Sequence, residues 1–209
     1  MDHQVYVVLD RSGSMASCVQ DTLGGLRYFL DSLEDSARVT LLLFNQTTEV
    51  IYRNAQKENW VPLTPQKYRP HGGTALMDAI GETIKMADIH EPRSWADQED
   101  NTITIVILTD GDENSSKAYT PAHVADLINY RRTQEWNFVF LCTDEERVFE
   151  RSSALSIPEA SALVYTHETV DTALYSAADA LSRMRSGESQ VVEFSQEERA
   201  ASNPSDFVA

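Results

Sequence analysis

The chain has 209 residues, of which 42% are hydrophobic and 24% are charged, the composition of an ordinary globular protein. Its 17 Lys and Arg residues against 33 Asp and Glu residues give a net charge of −16 with histidine neutral, so its field repels nucleic acid and anionic membrane surfaces. We therefore expect neither nucleic acid nor a membrane as a partner, and the length suits one domain with a continuous core.

The amino-terminal residues and the two cysteines indicate a cytoplasmic protein. Residues 1–4 are polar and lead directly into an apolar strand, without the basic region, long apolar stretch and small-residue cleavage site of a signal peptide. Cys18 and Cys142 both lie in apolar-rich segments, where buried thiols in a reducing compartment are the simplest interpretation.

The first part of the chain predicts a strand, a helix and a hairpin. Val5 to Leu9 form an apolar strand, and apolar residues from Met15 to Leu33 recur every three or four positions, as in an amphipathic helix. Within that helix, Gly24-Gly25 predicts a bend or a close approach of its backbone to the sheet. Only a short polar connector separates Arg38–Phe44 from Thr48–Tyr52, so these β-rich runs must form an antiparallel hairpin.

The remainder of the chain alternates helices with strands. In order, the pattern predicts a helix over 76–87, a central strand over 103–108, a helix that begins at Thr120-Pro121, a strand over 136–142, a helix over 144–155, a strand over 162–166 and a helix over 170–184 that ends at Gly187. This order predicts an α/β protein: a doubly wound, Rossmann-like three-layer α/β/α sandwich with a mostly parallel six-stranded sheet and one antiparallel edge strand.

The composition changes after this last helix. Residues 187–209 hold five acids, one arginine and only scattered apolar residues. We therefore expect a domain over 1–186 and an acidic, flexible tail over 187–209, in which only Val191 to Phe194 is apolar enough to dock.

Short oxygen-bearing side chains follow two predicted strands and precede a predicted helix. In a doubly wound sheet, ligands bind outside the carboxyl ends of the strands, which is where these side chains should meet. They comprise two carboxylates and three hydroxyls, namely Asp10, Ser12, Ser14, Thr74 and Asp110. Each motif alone is also an ordinary cap or turn, but their joint occurrence favours a site for a hard cation such as Mg²⁺.

These motifs resemble the metal-ion-dependent adhesion site of von Willebrand factor A domains. Asp10, Ser12 and Ser14 match the first motif of that family, Thr74 its middle threonine and Asp110 its last aspartate, so the resemblance implies a complete site. It implies one Mg²⁺, with Mn²⁺ or Ca²⁺ as substitutes, held by the hydroxyls and by aspartates acting through water. It also implies an open coordination position that accepts an Asp or Glu carboxylate from a partner protein.

Further residues could form the rim of this site, although each also suits an ordinary surface loop. They are Arg11, His71, Gly73 and Asp112. Tryptophans more often lie partly in the core than in a recognition surface, and Trp95, in the polar loop before the central strand, is the one to test as a partner contact. Because many acids follow the strands on this face, among them Asp144, we expect the partner to carry basic residues beside its carboxylate.

We expect an intracellular protein-binding module that is not an enzyme. A Mg²⁺-dependent phosphatase of the haloacid-dehalogenase kind needs a second aspartate two residues after Asp10, where Ser12 stands. The sequence also contains no nucleophile elbow, phosphate-binding loop or dinucleotide fingerprint. A scaffold with a structural metal and a separate binding surface is the alternative that stays open.

Overall fold

A computed structural model describes residues 3–90, 102–143 and 148–204 of the chain. Trp95 and the acidic residues Asp144, Glu145 and Glu146 lie outside these ranges. The strands are β1 (His3–Asp10), β2 (Arg38–Phe44), β3 (Thr48–Gln56), β4 (Thr102–Thr109), β5 (Asn137–Cys142) and β6 (Ala162–Val164). The α-helices are α1 (Val19–Ser32), α2 (Leu76–His90), α3 (Pro121–Arg132), α4 (Val148–Ala154), α5 (Val170–Ser186) and α6 (Gln196–Ser202).

The strands form one sheet in the order β3-β2-β1-β4-β5-β6. Every neighbouring pair is parallel except β2 and β3, which form the antiparallel hairpin at one edge. The predicted hairpin is confirmed, and β3 continues beyond Tyr52 because it bulges. Asn54 adopts a φ of 48° there, which Asn tolerates better than most residues, and pairing resumes at Ala55.

Helices cover both faces of the sheet. The side chains of β1 alternate, so Val5, Val7 and Leu9 pack in the core beneath α1 and α5, whereas Tyr6 and Val8 pack in the core beneath α2, α3 and α4. This arrangement confirms the predicted three-layer α/β/α sandwich. Both cysteines are buried thiols, as expected. No helix in the described ranges is long and apolar enough to cross a membrane.

The Gly24-Gly25 pair marks a close approach, but to a helix rather than to the sheet. A Cβ at Gly25 would lie 2.7 Å from the Cα of Asp171 and 2.9 Å from Cδ1 of Leu174, both on α5. Gly24 has nothing within 4 Å of its Cβ position. The expected approach to the sheet was therefore wrong, because α1 and α5 share one face and pack backbone against backbone.

The segment after α5 differs from the flexible tail that its composition predicts. Gly187 ends α5 with a left-handed φ of 80°, and the chain then packs back onto the domain. Val192 and Phe194 are buried, and α6 begins with a capping box between Ser195 and Glu198. Two apolar anchors and a capped helix are enough to order this acidic segment through residue 204.

Candidate metal centre

The carboxyl ends of β1 and β4 are adjacent in the sheet, which brings the two aspartates to the same edge. Leu9 pairs with Leu108, so the turns that carry Asp10 and Asp110 leave the sheet side by side. A 3₁₀ turn over Gly13–Ser17 precedes α1, which therefore begins later than the apolar periodicity predicts. This turn aims the serine side chains back towards the end of β4.

Asp10 is fully buried, and both of its carboxylate oxygens accept hydrogen bonds from the protein. The backbone N–H of Ser12 donates to Oδ1 at 2.6 Å, and the hydroxyl of Thr109 donates to Oδ2 at 2.6 Å. Burial raises the pKa of Asp10 to about 6, against the opposing effect of these hydrogen bonds. Asp10 is thus a buried carboxylate whose charged form a nearby cation would stabilise.

Asp110 organises the two serine hydroxyls. Ser14 Oγ donates to Asp110 Oδ1 at 2.7 Å, Ser12 Oγ lies 3.5 Å from the same oxygen, and the two hydroxyl oxygens are 3.1 Å apart. A serine hydroxyl that donates its only hydrogen keeps its lone pairs as acceptors. Contact with Asp110 therefore turns the hydrogen of Ser14 towards the carboxylate and leaves its oxygen able to bind a cation.

Thr74 joins this group through the loop after β4. A Cβ at Gly111 would lie 3.0 Å from Thr74 Oγ1 and 3.7 Å from Ser14 Oγ, which places both hydroxyls beside the same glycine. Asn114 holds the backbone of Thr74 with two hydrogen bonds. Its side-chain Oδ1 accepts from Thr74 N at 2.9 Å, and its backbone N–H donates to Thr74 O at 3.0 Å. The structure thus brings all five sequence-predicted oxygen donors together.

The predicted rim residues are mostly tied into structural contacts. Arg11 is largely buried and pairs with Glu49 at 2.5 Å, so its interpretation as an exposed side chain is wrong. His71 is exposed and lies against Arg69 O, and the exposed Asp112 pairs with Arg151.

Gly73 allows the loop after β4 to approach closely, since a Cβ there would lie 2.4 Å from Ser115 Oγ.

Glu113 accepts hydrogen bonds from the backbone N–H groups of Met77, Ser115 and Ser116, and so caps the start of α2. Burial raises the pKa of Glu113, but these hydrogen bonds and that of the Ser116 hydroxyl outweigh it, and the net pKa is lowered. Glu113 therefore belongs to the scaffold that holds Thr74.

The donor set fits a hard divalent cation. It offers three neutral hydroxyl oxygens and two carboxylates, the ligand type that Mg²⁺ and Mn²⁺ accept. In the part of the chain that the structure describes, no three His, Cys, Asp or Glu side chains cluster in a way that could hold a metal. A site here would depend on the hydroxyls as much as on the acids.

Two residues beside the site were missed in the sequence. Thr109 holds Asp10, and His167 lies with Nε2 2.8 Å from Asp110 Oδ2. His167 follows the last predicted strand, the position at which ligand-binding residues of a doubly wound sheet are sought. Its position after a strand could therefore have marked His167 as a candidate. The residues next to it in the sequence do not indicate that it faces Asp110, at the end of another strand.

The sequence also matches a known family. A model of the von Willebrand factor type A domain matches residues 4–154. The chain belongs to this family. The predicted resemblance to the von Willebrand factor A family is confirmed, and the sheet of this von Willebrand factor A domain continues beyond the matched range with β6, which α5 follows. No curated protein matches the chain significantly.

Solved structures share this fold at low sequence identity. A von Willebrand factor type A protein from Catenulispora acidiphila superposes with a TM-score of 0.59 at 16% identity, over 88% of this chain and 42% of that one. Proximal thread matrix protein 1 from the mussel byssus, with a zinc-occupied MIDAS motif, gives 0.60 at 14% identity, over 86% and 45%. Manganese-loaded TRAP protein from Plasmodium vivax gives 0.57 at 17% identity, over 82% and 70%. The chain spans less than half the length of the first two.

Proposed function

We propose that this von Willebrand factor A domain is a divalent-metal-dependent protein-binding module with a complete metal-ion-dependent adhesion site. The proposal is carried by the geometry around Asp110, where the hydroxyls of Ser14 and Ser12 face one oxygen of a buried carboxylate and the hydroxyl of Thr74 lies beside the following glycine. The residues that would hold the metal are Asp10, Ser12, Ser14, Thr74 and Asp110. The metal-loaded relatives support a divalent ion, and the all-oxygen donor set favours Mg²⁺, with Mn²⁺ or Ca²⁺ as substitutes.

The bound ion would act as a Lewis acid that accepts a carboxylate from a partner protein. Because the three hydroxyls are neutral and the two aspartates would act through water, the ion would keep more of its charge than it would with direct carboxylate ligands. A residual positive charge at the open edge of the sheet is what attracts an Asp or Glu side chain.

The charge around the site favours a partner with basic flanks. The predicted rim residue Arg11 is already paired with Glu49, Arg151 is paired with the predicted rim residue Asp112, and the whole chain carries a net charge of −16. A partner carboxylate without positive neighbours would be repelled except at the ion itself.

The two buried thiols support a cytoplasmic location. We also propose a binding role rather than catalysis, because Ser12 stands where a phosphatase would need an acid.

Calorimetric titration with Mg²⁺, after removal of metals with EDTA, tests the site. The wild-type protein is expected to bind one ion, and Asp110→Ala or Thr74→Ala should weaken binding by more than about tenfold, the loss typical of outer-sphere partners alone. Asp126→Ala, at an exposed aspartate on α3, is the matched control and should bind normally. Undiminished affinity in both site variants would refute the donor assignment.

Capture of partners in Mg²⁺ and in EDTA then tests the mode of binding. A partner held through the ion is released by EDTA and is not captured by Asp110→Ala. A partner retained under both conditions would instead identify a scaffold whose binding surface lies elsewhere.

A further inference from the structure

His167 connects the edge of the candidate metal centre to the loop between β6 and α5. Its Nε2 lies 2.8 Å from Asp110 Oδ2, and its Nδ1 lies 3.1 Å from Ser17 Oγ. The Asp110 side chain is fully buried, whereas that of His167 is 40% exposed. The ring therefore covers Oδ2 of Asp110, while Oδ1 of the same carboxylate accepts from the hydroxyl of Ser14.

The two partners of the ring are consistent with one neutral tautomer. A carboxylate can only accept, so Nε2 carries a hydrogen and donates to Asp110 Oδ2, and in the neutral ring Nδ1 accepts from the hydroxyl of Ser17. A ring hydrogen-bonded at both nitrogens has its orientation set by the protein rather than by solvent.

The backbone around His167 is also held. The hydroxyl of Thr169 accepts from Thr166 N at 2.9 Å and donates to Ser202 O at 2.5 Å, at the end of α6. The loop that carries the histidine is thus closed on itself and tied to the carboxyl-terminal segment.

We propose that His167 is a positioning residue for the metal centre, an inference that rests on the proposed function. By holding Asp110 Oδ2, the imidazole fixes the rotation of the carboxylate so that Oδ1 faces the serines. Oδ1 in turn directs the hydrogen of Ser14 and leaves its lone pairs towards the cation. Without the imidazole, Asp110 loses the hydrogen bond at Oδ2 that fixes its rotation, and only the serine hydroxyls orient the carboxylate.

Three substitutions separate positioning from simple packing. A glutamine places an N–H donor near the position of the histidine Nε2, an asparagine places one near that of Nδ1 and cannot reach Asp110, and an alanine places none. We therefore expect His167→Asn and His167→Ala to weaken Mg²⁺ binding by about tenfold, as loss of an outer-sphere partner does, and His167→Gln to restore it to within about threefold of wild type.

The measurements are calorimetric Mg²⁺ affinities of the full chain, with melting temperatures in EDTA to show that each variant is folded. His123→Asn, on the exposed face of α3, is the matched control and should leave the affinity unchanged. Wild-type affinity in His167→Asn, or equal losses in the glutamine and asparagine variants, would overturn the positioning role while leaving the proposed site intact. A wild-type protein that binds no Mg²⁺ would overturn both.

Discussion

Replacing the buried Asp10 by asparagine is expected to stabilise the metal-free protein at neutral pH. Burial raises the pKa of Asp10 from an ordinary value of 3.8 to about 6. The folded protein therefore binds more protons than the unfolded chain between these two values, so its stability falls as the pH rises through this window and stays lower above it. The gap corresponds to a penalty of about 3 kcal/mol at pH 7.5.

Asparagine keeps the shape of this side chain and removes its charge. Its oxygen can still accept from Ser12 N, and its amide can donate to the hydroxyl of Thr109, which is able to accept as well as donate. In EDTA, Asp10→Asn should thus be more stable than wild type by up to about 3 kcal/mol at pH 7.5, and the difference should vanish near pH 4.

Urea denaturation in EDTA at several pH values measures this effect. Excess Mg²⁺ should stabilise the wild type and not the variant, since binding to the folded state alone raises stability by mass action. An Asp10→Asn protein that is less stable than wild type at pH 7.5 in EDTA would refute the reasoning. It would show that the hydrogen bonds to the carboxylate outweigh its desolvation.

Two further pairs of substitutions test the packing around α5. Gly25→Ala should destabilise the domain by about 2 kcal/mol, because its Cβ would collide with the backbone of α5, whereas Gly24→Ala should stabilise it by about 1 kcal/mol through helix propensity. Glu198→Ala should cost about 1 to 2 kcal/mol, since its carboxylate accepts two hydrogen bonds from Arg183 at 2.8 Å and completes the capping box of α6. Glu197→Ala, at the exposed position beside this ion pair, should change stability by less than about 0.5 kcal/mol. Urea denaturation measures all four, and equal effects within either pair would contradict the assigned contacts.

The sequence was sufficient where the signal is local. The apolar run that ends at Asp10 and the central strand that ends before Asp110 each reveal a strand by their own composition. The Thr120-Pro121 pair likewise announces the start of α3, and the structure shows the predicted hydrogen bond from His123 N to the threonine side chain. Once the strands are known, the carboxyl ends of neighbouring parallel strands are the expected place for a ligand.

Composition was a poor guide to the carboxyl-terminal segment. A tail with few apolar residues reads as disordered, yet Val192 and Phe194 fill positions at the edge of the core. The hydroxyl of Ser161 donates to Val192 O, and Phe194 N donates to Ala160 O, so the segment is paired with the loop before β6. Composition is an average over the whole segment, whereas docking depends on the positions of two apolar residues, Val192 and Phe194.

Residue types and their periodicity were thus enough to predict the α/β sandwich and to single out five candidate oxygen donors, because burial and strand alternation leave a pattern along the chain itself. The roles of His167, Gly25 and Arg11 depend instead on partners 57, 146 and 38 residues away, respectively Asp110, Asp171 and Glu49. Which strand ends are neighbours and which helices share a face is settled only when the sheet assembles, because those contacts join segments that carry no mark of one another in the sequence.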